Sequence, residues 1–222
     1  MLYAWKKGRM AMFLQPGDRF LLIGDSITDG GRREDPGGVG FGYVRLLRDM
    51  LWARHPALDV TIINRGINGD TVRLMSRRWE KDVLAENPTV LSVSIGVNDV
   101  WRQLQDPANE EEVLPDEFEA TYRKLLEQAV DALHCRLILC EATIIDESIT
   151  SPYNVILDQY NTVITKLARN FGALLVPMNQ AFWRVIDANP TRRWTEDGVH
   201  PLTNGHMLMA VTMYEALGGC KK

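Results

Sequence analysis

Ser26 stands directly after the apolar run Phe20-Leu21-Leu22-Ile23, and Asp197 and His200 lie three positions apart near the other end of the chain. A hydroxyl, an imidazole and a carboxylate are the groups of a nucleophile, base and orienter relay. Such a relay lets a neutral alcohol attack a carbonyl carbon. In the segment Gly24-Asp25-Ser26-Ile27-Thr28-Asp29, Gly24 lets the backbone pass closely. A serine opening a helical turn keeps its own N–H free to face an anion. Position 28 is Thr, so the G-x-S-x-G elbow of α/β-hydrolases is absent. Taken alone, a serine after a strand is also an ordinary helix N-cap.

Acyl transfer further needs donors aimed at a developing oxyanion. Asn64-Arg65-Gly66-Ile67-Asn68-Gly69-Asp70-Thr71 supplies glycines whose N–H groups a reacting oxygen could approach, although the same composition makes a tight turn. Asn98, in Gly96-Val97-Asn98-Asp99, offers a side-chain N–H, or else simply forms a turn. In the Asp197–His200 loop, a carboxylate that folds back on Nδ1–H leaves Nε2 facing Ser26. His206 falls on the helical pattern that follows. His55 and His134 close helices, where positive charge is favoured, and all three are read as structural.

These groups need a scaffold that brings distant segments together. Arg19–Ile23, Val60–Asn64, Val90–Ile95, Arg136–Cys140 and Ala173–Val176 are short apolar runs with little polar alternation, the pattern of strands covered on both faces. Between them lie amphipathic stretches at Tyr43–Arg54, Thr71–Glu86, Pro115–Leu133, Asn154–Asn170, Asn179–Ala188 and Thr203–Leu217. The alternation predicts an α/β fold: a three-layer α/β/α sandwich on a flavodoxin-like parallel sheet of about five strands. Ligands of such sheets sit beyond the carboxyl ends of the strands. Ser26, the Gly66–Thr71 turn, Asn98 and Glu141 all follow strands, so they should share one edge.

A chain of 222 residues fits one domain spanning 1–222, with 1–12 as a loosely tied extension. The net charge of −4 gives no general attraction to nucleic acid or to anionic membranes, and no stretch approaches a membrane span. Arg73, Arg77 and Arg78, followed by Glu80 and Asp82, read as the solvated face of a helix. Cys135, Cys140 and Cys220 form neither a disulfide framework nor a zinc pattern. Extended chain between Cys135 and Cys140 keeps them from bridging, so reduced thiols in a cytoplasmic protein are expected.

Gly24-Asp25-Ser26, Gly69-Asp70, Gly96-Val97-Asn98-Asp99 and Asp197-Gly198-Val199-His200-Pro201 resemble the four blocks of the SGNH (GDSL-type) hydrolases, in the family's order. The resemblance implies Ser26 as nucleophile, His200 as base and Asp197 as its orienter. It implies an oxyanion hole made by the Ser26 N–H, the Gly69 N–H and the Asn98 side chain, with Gly66 as the other glycine of that block. It implies no metal and no cofactor. Asn98-Asp99-Val100-Trp101-Arg102 and the 64–71 segment are further similar to intracellular bacterial carbohydrate acetylesterases acting on acetylated xylo-oligosaccharides. Members with similar motifs are lysophospholipases, thioesterases or aryl esterases, which makes a lipid or acyl-thioester hydrolase the alternative. A non-catalytic glycan-binding module on the same scaffold is a distant one.

Asp25, Trp101 and Trp194 are the candidate substrate contacts, the tryptophans offering flat faces to sugar rings. Trp194 departs from the pattern, standing three positions before Asp197 rather than beside it. The loops hold few apolar residues, which favours a short acyl group. The Gly-rich stretch 29–42 fails the G-x-G-x-x-G spacing and is read as a mobile rim or a subunit contact. The expected partner is a small ester, with a homo-oligomer left open.

Overall fold

A computed structural model of the protein describes residues 12–105 and 112–219. Five parallel strands, β1 (Arg19–Gly24), β2 (Thr61–Gly66), β3 (Val90–Ser94), β4 (Arg136–Cys140) and β5 (Leu174–Val176), form one sheet in the order β2-β1-β3-β4-β5. This is the flavodoxin-like order expected. The central strands are apolar because both faces are covered: β3 is buried throughout and β1 is exposed only at Arg19. The edge strand β2 is partly exposed.

Helices α1 (Ser26–Asp29), α2 (Tyr43–Arg54), α3 (Val72–Arg77), α4 (Val97–Gln105), α5 (Pro115–Leu133), α6 (Pro152–Phe171), α7 (Met178–Ala188) and α8 (Thr203–Ala216) complete the fold. Helices α2, α7 and α8 pack together, and α8 touches β5. The series α3–α5–α6 packs likewise, and α6 touches β4. The stretch expected as one helix over Thr71–Glu86 breaks after Arg77 and continues as a π-helical turn at Glu80–Leu84. Helix α4 falls where the sequence suggested a loop. Asn and Asp are poor helix formers, and this helix is fixed by hydrogen bonds its side chains make to the 69–72 segment.

Of the expected extension, residues 1–11 lie outside the described residues. From Met12 the chain is tied down: Met12 and Phe13 pack on the core, and the Phe13 N–H donates to the Leu217 carbonyl at 2.8 Å. Cys135 and Cys140 are free and buried; Cys220 lies outside the described residues. Burial pushes the two thiols up to about 11 and about 12, which leaves them protonated and unreactive. Among the described residues no helix is long and apolar enough to cross a membrane.

Candidate active site

The register sets Gly24 level with Gly66 and with Ser94, so three strands end together. Two glycines make the crowded junction there possible. A β-carbon on Gly24 would lie 2.3 Å from the Ser94 carbonyl oxygen, and one on Gly66 would lie 2.1 Å from the Asp29 nitrogen. The chain therefore turns tightly out of β1 into α1, and Ser26 becomes the first helical residue. The Asp25 side chain caps that turn by accepting from the Ile27 N–H at 3.0 Å. Asp25 is 3% exposed, and burial pushes its carboxyl up to about 7.

From the far end of the chain, a short hairpin brings up the other two groups. Thr195 bridges Pro201, the Glu196 N–H donates to the His200 carbonyl, and the Leu202 N–H donates to that of Trp194. Asp197 Oδ1 accepts the N–H groups of Val199 and His200 at 3.0 and 2.8 Å. Its Oδ2 accepts His200 Nδ1–H at 2.7 Å. Burial would raise this carboxyl, but the backbone and ring donors of His200 and the Val199 N–H outweigh it and hold Asp197 at about 2. Bound so, Asp197 selects the tautomer that leaves Nε2 as acceptor, and Nε2 lies 3.0 Å from Ser26 Oγ. Three residues from opposite ends of the sequence form one unbroken relay.

The three candidate oxyanion donors sit just past the carboxyl ends of β1, β2 and β3. The Ser26 N–H opens α1 and has no helical partner. Gly69 adopts φ +78°, and its N–H makes no hydrogen bond among the described residues. Asn98 gives one amide hydrogen to the Asp70 carbonyl at 2.9 Å and keeps a second. The other glycine of this loop is engaged elsewhere: the Gly66 N–H donates to Asn64 Oδ1 at 2.8 Å. Helix α4 steadies the loop through Asn98, through Asp99 Oδ1 on the Val72 N–H at 3.0 Å, and through Arg102 on the Gly69 carbonyl at 2.7 Å.

Supports that sequence reasoning missed lie behind these groups. Arg78, read as part of a solvated face, is instead mostly buried. Its guanidinium donates to Asp70 at 2.6 Å, to the Arg65 carbonyl at 2.8 Å and to the Gly24 carbonyl at 3.1 Å. Arg73 is likewise not a free surface charge, since it pairs with Glu117. Asn64 is 1% exposed and donates to the carbonyls of Thr28 and Val39 at 2.7 and 2.9 Å, joining α1 to the Gly-rich stretch. That stretch is further gathered around Asp35, which accepts from the N–H groups of Gly37, Val39 and Gly40. A loosely held rim is not what these bonds describe. An Asn closing the apolar run Val60–Asn64 is the one signal that could have pointed to such a role.

A cleft of about 660 Å³ opens on the Asp197 side of the relay, with Trp101, Tyr153, Arg193 and Asp146 in its wall. Of the candidate substrate contacts, Trp101 lies here. Trp194 does not: it packs on the core, and its indole N–H is buried. Asp25 does not either, because it is buried as a helix cap. Among the described residues no group of three His, Cys, Asp or Glu side chains is placed to hold a metal ion.

Residues 22–208 match the model of the GDSL-like lipase/acylhydrolase family. An acetylxylan esterase of Geobacillus stearothermophilus is 36% identical over 213 residues, which cover 93% of this chain and 97% of that protein. Its crystal structure matches at a TM-score of 0.87. An alpha/beta hydrolase enzyme from the metagenome of Lake Arreo, Spain, matches at a TM-score of 0.88 with 32% identity, over 95% of this chain and all of that one. A protein of Escherichia coli described as thioesterase, protease and lysophospholipase is 25% identical over 201 residues, 90% of this chain and 83% of its own length.

Proposed function

The chain belongs to the GDSL-like lipase/acylhydrolase family and is a carboxylic ester hydrolase; on that premise we propose that Ser26 is its nucleophile and that acetyl groups on xylo-oligosaccharides are its substrate. The line from Ser26 Oγ through His200 to Asp197, at 3.0 and 2.7 Å, carries the reading. Ser26 attacks the acetyl carbonyl as its proton passes to His200 Nε2. Negative charge gathers on the former carbonyl oxygen, between the Ser26 N–H, the Gly69 N–H and the Asn98 amide. The C–O bond to the sugar then breaks, and His200 returns the proton to the departing hydroxyl. Water repeats the sequence on the acetyl-enzyme and releases acetate. Asp197 stays ionised throughout and stabilises the imidazolium that forms twice in each cycle.

The alcohol side is where the substrate class is read. The cleft beside Asp197 combines the rings of Trp101 and Tyr153 with charged groups, a lining that suits a hydroxyl-rich ring better than an alkyl chain. The 36% identity to an acetylxylan esterase supports the same choice. The weaker likeness to a thioesterase and lysophospholipase keeps long acyl groups as the rival. Free, buried Cys135 and Cys140 fit a cytoplasmic enzyme. The deciding experiment is a series of acyl esters of rising chain length, run beside acetate release from acetylated xylo-oligosaccharides. The acetyl ester should be turned over fastest and free acetate should appear. An optimum at octanoyl or longer assigns the protein to the lipid and thioester class instead.

A further inference from the structure

The hairpin that carries Asp197 and His200 is short, exposed at Glu196 and Asp197, and lies outside the sheet. Something must hold it at hydrogen-bond distance from Ser26. Two neighbouring residues after β4 make the attachment. The Asp146 N–H donates to the Gly198 carbonyl at 2.8 Å, fixing the tip of the hairpin. Glu147 fixes its base. One carboxylate oxygen, Oε1, accepts from the Trp194 N–H, the Thr195 N–H and the Thr195 hydroxyl, each at 2.7 Å. Thr195 is 1% exposed, so its hydroxyl has little access to water in place of that carboxylate.

Glu147 is itself held. Asn154, buried in the first turn of α6, accepts the Ile145 N–H at 2.9 Å and donates to the carbonyls of Asp146 and Ser148 at 3.0 and 2.8 Å. A continuous path of hydrogen bonds thus runs from α6 to the 145–148 loop, through Glu147 to Thr195, and so to the relay two residues on. We infer that Glu147 is a positioning residue of the ester hydrolase: it fixes the place of His200 relative to Ser26 without touching the reacting atoms. Three donors converge on one oxygen, and a carboxylate is the side chain that accepts them most strongly. Misplacement of a catalytic group by about 1 Å can cost on the order of 100-fold in rate.

This inference rests on Ser26, His200 and Asp197 being the catalytic relay, so Ser26→Ala is assayed alongside. The test compares Glu147→Ala, Glu147→Gln and Thr195→Val on an activated acetyl ester. It reads kcat, KM, Tm, the rate of Ser26 labelling by a small organophosphonate, and the low-field proton resonance of His200 Nδ1–H. Glu147→Ala should lower kcat and the labelling rate together by roughly 10- to 100-fold, leave KM within about twofold, and weaken or shift that resonance. Glu147→Gln, which keeps an oxygen acceptor, should restore most of the rate. Thr195→Val, which removes one of the three donors, should fall between. If Glu147→Ala fails to fold, Thr195→Val, which lacks the hydroxyl donor, decides by the same readouts. Unchanged kcat and labelling in folded Glu147→Ala or Thr195→Val, or a change confined to KM, overturns the positioning role. Full activity in Ser26→Ala overturns the relay itself and is a separate result.

Discussion

Gly66 is pressed so closely against Asp29 that a β-carbon there would sit 2.1 Å from the Asp29 nitrogen, whereas Gly69, three residues on, has open space and only Arg102 at 3.5 Å. The two glycines of one motif therefore do different work. Gly66→Ala should cost at least about 3 kcal/mol and lower Tm steeply, because main chain must move to admit it. Gly69→Ala should cost only about 1 kcal/mol for its left-handed φ, yet lower kcat through the displaced N–H. Thermal melts and acetyl-ester kinetics on both variants check this; equal losses of stability would contradict it.

Asn98→Ala removes the amide from the oxyanion site. Loss of one such donor typically lowers turnover by roughly 100- to 1000-fold, and KM should change little. The same side chain also holds the Asp70 carbonyl, so Tm is expected to fall slightly as well. A folded Asn98→Ala protein with unchanged kcat on an activated acetyl ester removes Asn98 from the hole.

Trp101 and Trp194 should separate in kinetics. Trp101→Ala takes a ring from the cleft wall and should raise KM for an acetylated xylo-oligosaccharide by roughly five- to tenfold, the loss of about 1 kcal/mol of contact. KM for a small aryl acetate should hold steady. Trp194→Ala empties a site packed on the core and should act on Tm first. The reverse pattern would restore Trp194 as the substrate contact.

The relay was nominated by the order of its parts: a serine after an apolar run is by itself also a helix cap and an Asp-x-x-His loop also a capping turn, and it was the four blocks at 24–26, 69–70, 96–99 and 197–201 together that carried the family resemblance. The strand order was legible because β1, β3 and β4 are apolar on both faces. Helix α4 was not, since Val97-Asn98-Asp99 has weak helical preference and is held by bonds to Asp70 and Val72 that no local pattern encodes. The roles of Arg78 and Glu147 were hidden for the same reason. Each is an ordinary surface-type residue whose partners lie beyond its own element, Gly24 being 54 positions from Arg78 and Thr195 48 positions from Glu147. The packing of Trp194 on the core was not legible either, because spacing along the chain does not say which way a ring points.

Asp99 has one oxygen on the Val72 N–H, while the other, Oδ2, is buried and meets no donor among the described residues. Burial pushes this carboxyl up to about 7, with the nearby Asp25 adding to the rise. Unfolded, it would titrate near the usual carboxylate value of about 4. The folded state therefore keeps a proton that the unfolded state releases across this window. The contribution is full below the lower value and falls by roughly 1.4 kcal/mol per pH unit as pH rises to the upper one. Asp99→Asn does not titrate and still offers an oxygen to Val72. Its Tm advantage over the parent protein should grow between pH 5 and pH 8.5, and a constant or shrinking difference would refute a protonated Asp99.

His206 carries the opposite sign. Its Nδ1 accepts the Tyr43 N–H at 3.2 Å, which caps α2 from outside the helix, because Gly42 has no side chain to do so. Burial first, and the proximity of His200 second, push its imidazole down to about 4. Above about 6.5 neither the folded nor the unfolded state binds this proton, and the full contribution is present. Between there and the folded value only the unfolded state binds it, so stability drains away as pH falls, by roughly 3 kcal/mol in all. His206→Gln keeps an acceptor near Tyr43 but has no proton to gain. The acid-sensitive carboxyls of Asp25 and Asp99 act in the contrary direction, so the quantity to measure is the difference between variant and parent in urea unfolding at pH 7 and pH 4.5. The variant should gain on the parent at the lower pH; parallel losses would show that His206 takes up its proton as readily in the folded chain as in the unfolded one.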